Sequence, residues 1–315
     1  MEQRRNSAWK DIRREGAYAD QGRTGTRGRQ TQQPSISQAK APSNPLRGSD
    51  AVNCTAHADV RVQKEIMTNT TQRNSIENFL YDTSNSHARE SLVNNKLLFD
   101  LKLAAADRGY FLNAYLPEVD QDGFDIIFDD QEVISKIQLK TVMKGAGTSN
   151  WSIHKRLLRP VPHQCENFGF EPSPTGEGFG GGVILIQIDA ESEFTIKYFY
   201  ADVITLCGFR DNLLRVSRPP RQDVVQKFFQ KLSSGAGSEK IVLSKSLFLE
   251  AKTPEALLAF MGLHNNLSTA IWRLHLMNII SPSLPEDQLP APLEILKESI
   301  NDELVELSPR IRRTP

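Results

Sequence analysis

"GFDIIFDDQEVISKIQLKT", residues 123–141, is the stretch on which the fold turns. Two apolar runs, "DIIFD" and "VISKIQLKT", flank "DDQE", a turn by composition, so the stretch predicts a β-hairpin. Both runs carry apolar side chains on both faces, which implies a sheet covered on both sides. A charge there is costly unless it is partnered or stands at a strand end. Asp125 follows Gly123 and Phe124 at the start of the first strand. Gln138 and Lys140 are two apart, so on an extended backbone they share a face while Leu139 takes the other. Pairing around the turn brings Asp125 to the level of both, and a carboxylate, an amide oxygen and an ammonium should converge at one edge of the sheet.

Upstream, "SHARESLVNNKLLFDLKLAAADRG" predicts a long helix with Ser86 as N-cap and Gly109 as its stop, preceded by a short helix in "NSIENFLYDTS". "YFLNAYL" reads as extended, "NWSIHKRLL" as a short helix, and "GGVILIQID" with "EFTIKYFYA" as a second hairpin. Beyond about residue 201 the pattern turns helical, in "DVVQKFFQKL", "PEALLAFMGL" and "NLSTAIWRLHLMNII". This order predicts an α/β fold, a central mixed sheet flanked by helices. Three regions are expected: a mostly disordered basic arm over 1–64, a sheet domain over 65–215 and a helical C-terminal region over 216–315.

The chain has 315 residues, 39% hydrophobic and 24% charged, enough for a sizeable core. Lys plus Arg equals Asp plus Glu at 38 each, so the molecule as a whole advertises no polyanionic partner. The first 50 residues differ, with ten basic residues against five acidic and a Gln-, Gly-, Ser- and Pro-rich composition. Such a segment buries too little apolar surface to offset its ordering entropy. It reads as a solvated tail or as a phosphate-holding arm. Cys54, Cys165 and Cys207 form no CxxC, apolar runs fall far short of the roughly 20 residues that span a bilayer, and "MEQRRNSAWKDIRREG" lacks a signal peptide's apolar stretch. A soluble cytoplasmic protein without a membrane partner is expected.

The convergence at the sheet edge has a chemical logic. Phosphodiester cleavage is helped by a divalent cation that offsets developing charge and lowers the pKa of a bound water. Mg²⁺ takes oxygen ligands and needs one or two carboxylates, keeping several waters; Mn²⁺ suits the same set. Asp125 offers the anionic ligand, the Gln138 amide oxygen and the Leu139 carbonyl neutral ones, and Lys140 a group to serve the nucleophile or the charged transition state. A further carboxylate is expected from the long helix. Glu90 is the candidate, because it shares a helical face with Val93, Leu97, Leu101 and Ala104. The plain reading of Glu90 is a first-turn residue with its head in solvent.

"GFD" followed about a dozen residues later by "IQLK" resembles the PD-(D/E)XK phosphodiesterase superfamily, with its restriction-endonuclease-like fold. The likeness is closest to the QxK branch of Mrr-type and other bacterial defence nucleases. There a helix bearing Glu precedes a hairpin bearing Asp and then (E/Q)xK, and Glu90, Asp125, Gln138 and Lys140 match in that order. The resemblance covers roughly residues 86–210. It implies a Mg²⁺-dependent endonuclease acting on DNA in restriction or anti-phage defence, with Glu90, Asp125 and Gln138 as metal ligands. Gln138 stands where the family's core pattern has an acidic residue, leaving one carboxylate fewer. The alternative is a catalytically inactive subunit of the same fold that binds nucleic acid or a partner protein. No residue here reads a 2′-hydroxyl, so the sequence does not separate DNA from RNA as substrate.

The Gly-, Pro- and Ser-rich excursion from 143 to 182 offers Lys144, Trp151, Lys155, Arg156 and Arg159 for phosphate contacts and stacking, or is merely solvated. Its "GEGFGGG", residues 176–182, lacks the Lys-Ser/Thr and following helix of a P-loop and reads as a mobile loop before a strand. His154, His163 and Cys165 lack a fourth zinc ligand at sensible spacing. In "LEILKESINDELVEL", residues 293–307, the seam Leu293, Leu296, Ile300, Leu304 and Leu307 docks on its own domain or supports a homodimer or partner contact.

Overall fold

A computed structural model describes residues 75–118, 123–171, 177–190, 194–263, 267–281 and 289–313. The basic arm expected over 1–64 lies outside them. The described residues belong to one compact unit, Thr68–Pro315.

The hairpin at the heart of the sequence is present. Strands β1 (Asn113–Tyr115), β2 (Ile126–Asp129) and β3 (Ile134–Met143) form an antiparallel meander. The β2–β3 turn uses its aspartates locally. Asp129 accepts the Gln131 N–H at 2.7 Å, and Asp130 accepts those of Glu132 and Val133 at 3.0 and 2.6 Å. After a crossover containing β4 (Asn150–His154), β5 (Gly182–Asp189) pairs parallel to β3, and β6 (Thr195–Asp202) pairs antiparallel to β5. Strands β7 (Lys240–Ser244) and β8 (Leu249–Ala251) follow, and the larger sheet has the order β1-β2-β3-β5-β6-β8. It is mixed but mainly antiparallel, with β3–β5 the parallel pair.

The helices are α1 (Ser75–Tyr81), α2 (Ser86–Asp107), a single turn α3 (Lys155–Leu158), α4 (Val203–Arg210), α5 (Gln222–Ser233), α6 (Pro254–Met261), α7 (Leu267–Ile280) and α8 (Leu293–Leu307). Helix α2 buries Val93, Leu97, Leu101 and Ala104, the stripe expected from the 3.6-residue period. It ends at Gly109, whose φ of 77° suits a residue without a side chain. Its N-cap position is held by Asn85, after a 3-10 turn capped by Asp82, and Ser86 is already inside the helix.

The two hairpin faces are covered differently. Tyr198 and Tyr200 share one face; the Tyr198 hydroxyl donates to Asp100 of α2 at 2.7 Å. Asp202, nearly sealed from solvent, caps α4 through the Thr205 N–H and pairs with Arg273 of α7 at 2.8 Å. This face therefore meets the helical layer, and the opposite one carries Gln138 and Lys140.

Two expectations change. "NWSIHKRLL" is strand β4 and then the turn α3, because Trp151 and Ile153 alternate inward and β4 pairs with β7. The region 216–315 is not solely helical: β7 pairs with β4 and β8 with β6, so the fold runs through the boundary drawn at 215. The C-terminal seam is used within the chain. Leu296, Ile300 and Leu304 are buried, Asn301 accepts the Arg215 N–H at 2.7 Å, and Glu303 accepts the Trp272 N–H of α7 at 3.0 Å. That burial takes the seam away from a homodimer or partner contact.

Burial pushes the Glu303 carboxyl up to about 7, against the opposing pull of the Trp272 N–H. The folded state thus holds a proton that the unfolded chain releases in the ordinary carboxylate range, and the resulting stability is lost as pH rises toward and through 7. The melting temperature of the wild type should fall from pH 5 to pH 8, and Glu303→Gln should flatten that fall. An identical pH dependence in the variant would contradict this.

The glycine run is a packing device, contrary to the expected mobile loop. A Cβ on Gly178 would stand 2.1 Å from the Arg159 carbonyl oxygen, one on Gly181 2.3 Å from that of Lys136, and one on Gly182 2.5 Å from the Tyr200 hydroxyl. Successive N–H groups of Gly178, Phe179, Gly180 and Gly181 donate to Pro160, Arg156, Arg159 and Leu157 at 2.8–2.9 Å, zipping the segment onto α3. Gly178→Ala should destabilise by about 3 kcal/mol, since the clash is with backbone. Gly147→Ala, where a Cβ meets nothing within 4 Å, is the control. Urea unfolding that does not distinguish the two would refute the packing role.

Candidate active site

The Asp125 N–H donates to the Ile137 carbonyl at 2.8 Å, just before the first paired residues of the hairpin, Ile126 and Ile137. Strand alternation puts Gln138 and Lys140 on one face of β3, and Asp125 stands beside them at the mouth of β2. The local cause is Gly123. Its φ is 75°, and a Cβ there would lie 2.2 Å from Cδ2 of His154. The chain can turn into β2 beneath the His154 ring only with no side chain at this position. Where the β2 ladder ends, the Asp125 carboxylate continues it, accepting the Leu139 N–H at 2.6 Å through Oδ2.

Gln138 is only 7% exposed, and its Oε1 is buried with no hydrogen-bond partner among the described residues. A buried carbonyl-type oxygen left without a donor costs about 1–3 kcal/mol, so its persistence calls for a reason. Lys140 is half-buried and makes no hydrogen bond or ion pair among the described residues. A carboxylate at the end of β2 thus stands beside an amide oxygen and a lysine that share one face of β3, both without a partner among the described residues. The set suits a hard cation that takes oxygen ligands.

Other expected members stand apart. Glu90 is exposed on α2 and makes no hydrogen bond or ion pair among the described residues. No group of three or more His, Cys, Asp or Glu side chains able to hold a metal occurs there either. The Leu139 group that the structure joins to Asp125 is its N–H, not the expected carbonyl.

Three of the five expected nucleic-acid contacts are corrected. Trp151, 8% exposed, packs edge-on against Phe248 at 5.9 Å in the core. Lys155 is buried against the Ser234 carbonyl and Glu239, at 3.0 and 2.5 Å. Arg159, fully buried, donates to the Leu232, Ser234 and Gly235 carbonyls at 2.6–3.0 Å, and burial pulls its pKa below the usual guanidinium value. These cations anchor the crossover to the end of α5. Arg156 and Lys144 remain at the surface. Arg156 lies over the Phe179 ring at 4.6 Å, beside the Lys136 ammonium at 4.0 Å. Lys144 pairs with Asp189 at 2.6 Å.

Sequence reasoning missed His154, which it weighed as a zinc ligand, and Lys136. Lys136 sits in β3 on the same face as Gln138 and Lys140, and the spacing "KIQLK" itself carried that signal. No protein-family model matches the chain, and no curated protein or solved structure matches it. Among the described residues no helix is long and apolar enough to cross a membrane.

Proposed function

We propose that this chain is a Mg²⁺-dependent endonuclease of the PD-(D/E)XK type, hydrolysing phosphodiester bonds of DNA, with a place in restriction or anti-phage defence implied by the sequence resemblance alone. The observation that carries the reading is the buried, unpartnered Gln138 oxygen, one residue before Leu139, whose N–H the Asp125 carboxylate accepts. A helix followed by an antiparallel hairpin in a mixed sheet, with Asp125 and then Gln138-Leu139-Lys140, supports the same assignment. Asp125 and Gln138 would hold the ion. A bound Mg²⁺ supplies a water of lowered pKa and charge neutralisation at the phosphate. Lys140, two residues along the same face, places its ammonium where it offsets charge building on the phosphate oxygens as the water oxygen bonds to phosphorus and the P–O bond to the leaving group breaks. The leaving oxygen departs with a proton.

The lone exposure of Glu90 favours a second reading, an inactive subunit of this fold that binds nucleic acid or a partner protein. Supercoiled plasmid and structured RNA, each incubated with Mg²⁺ or EDTA, separate the two. Nicking or linearisation by the wild type in Mg²⁺, absent in EDTA and in Asp125→Asn, supports the hydrolase. Binding without cleavage supports the subunit.

A further inference from the structure

A cleft of about 1030 Å³ opens on the same sheet face as Lys140. It is lined by six cations, Lys144, Lys197, Arg218, Lys245, Arg310 and Arg312, against two carboxylates, Asp189 and Glu250. Both carboxylates are already paired, Asp189 with Lys144 at 2.6 Å and Glu250 with Lys197 at 2.9 Å. Glu250 also acts on Lys245 and Arg310, so two carboxylates are shared among six cations and the lining keeps a positive excess of four charges. In a chain whose net charge is zero, this concentrates positive potential in a concave, low-dielectric space, which attracts anions.

The wall is built in advance. The Arg310 guanidinium donates to the carbonyls of Phe248, Ser246 and Arg218, while its own carbonyl accepts the Ser217 N–H at 2.6 Å. Arg312 donates to the Ser217 carbonyl at 2.7 Å. Lys245 is held on the Gln187 amide oxygen at 2.7 Å and over the Phe199 ring at 4.9 Å. Three chain segments are thus tied together around a shared positive surface.

Two features specify the ligand. The volume stands at the top of the range for drug-sized pockets, larger than one nucleotide needs. Phe199, the aromatic ring of the lining, is 4% exposed beneath Lys245, so bases find no platform to stack on. Contacts would fall on phosphates, which position a strand and carry no sequence information. The location adds a direction. Lys140 pairs with Leu185 on β5, and Gln187 of the cleft lies two residues further along that strand, roughly 8 Å from Lys140 by strand geometry.

We propose that this cleft is a phosphate-backbone track for a nucleic-acid strand, sequence-independent, delivering it to Lys140 on the same face of the sheet. The delivery rests on the hydrolase reading; the binding does not.

The test is fluorescence anisotropy of the full chain with a labelled mixed-sequence single-stranded DNA 20-mer, in EDTA, between 50 and 200 mM salt. Four phosphate contacts predict an affinity loss of about 50-fold across that range. Arg218→Ala with Arg312→Ala should weaken binding at least about tenfold and flatten the salt slope by about 1.4, in a protein that still unfolds cooperatively. Lys227→Ala with Lys231→Ala, exposed on α5 outside the cleft, should change neither. Equal affinity and slope in the two double variants would overturn the proposal. So would displacement of the oligonucleotide by ATP at an equal phosphate concentration, which would assign the cleft to a small phosphate ligand. Binding that depends on Arg218 and Arg312 without any cleavage keeps the track and removes the hydrolase. Mg²⁺-dependent cleavage indifferent to both arginines removes the track and keeps the hydrolase.

Discussion

Lys140→Ala should slow Mg²⁺-dependent phosphodiester cleavage by about 10²- to 10⁴-fold, the span for loss of one positioned catalytic group, and leave the melting temperature where it was. The two halves of this expectation have one origin. Lys140 lies in the middle of a ten-residue strand, half-buried, with no hydrogen bond or ion pair among the described residues. A lysine with a structural task in this chain looks different. Lys155 is buried against a carbonyl and a carboxylate, and removing it would break a hydrogen bond to each. Lys140 has no such bond to lose, so a fall in activity would report its chemistry. Single-turnover kinetics beside differential scanning calorimetry separate the cases. A variant that cleaves at the wild-type rate, or one that loses activity only in proportion to lost stability, would count against the assignment.

Gln138→Met should raise stability and abolish activity together. The side chains are close in size, and the substitution removes an amide oxygen that is buried without a donor, a burden of about 1–3 kcal/mol. For a folded unit of this size that corresponds to a rise of roughly 2–10 °C in melting temperature. The same oxygen is the neutral ligand assigned to the cation, so cleavage should disappear. Opposite movements of stability and function are the mark of a residue kept for its chemistry. Urea unfolding of the two proteins decides the first half. A less stable Gln138→Met protein would mean that the amide is satisfied in the folded chain and that the argument from its isolation fails.

What was legible in the sequence is what short-range pattern determines. The β2–β3 hairpin, the α2 stripe from Val93 to Ala104 and the β5–β6 pair all follow from alternation, helical period and turn residues within about 25 positions. Strand β4 was hidden because its partner β7 lies some 90 residues later, and its five residues, "NWSIH", run straight into the helical turn "KRLL". The fate of cations was equally hidden. In "HKRLLR", Arg156 reaches the surface while Lys155 and Arg159 are buried, and the carbonyls that take Arg159 come from Leu232, Ser234 and Gly235. The basic cleft gathers Lys144, Lys197, Arg218 and Lys245, scattered over some 100 positions, onto two arginines of the C-terminal "RIRR". Within the site itself, Asp125, Gln138 and Lys140 were readable from period-two spacing, whereas Glu90 shares the buried stripe's angle but lies one turn before it, where the helix is still open to solvent.

The most direct measurement is Mn²⁺ binding to the full chain, by calorimetry and by electron paramagnetic resonance, in the presence of an uncleavable phosphorothioate oligonucleotide. The account predicts one tightly held ion per chain in the wild type and in Lys140→Ala, lost in both Asp125→Asn and Gln138→Met. Wild-type protein that binds no ion, or a Gln138→Met variant that binds it as well as the wild type, would contradict the claim that Asp125 and Gln138 hold a cation together.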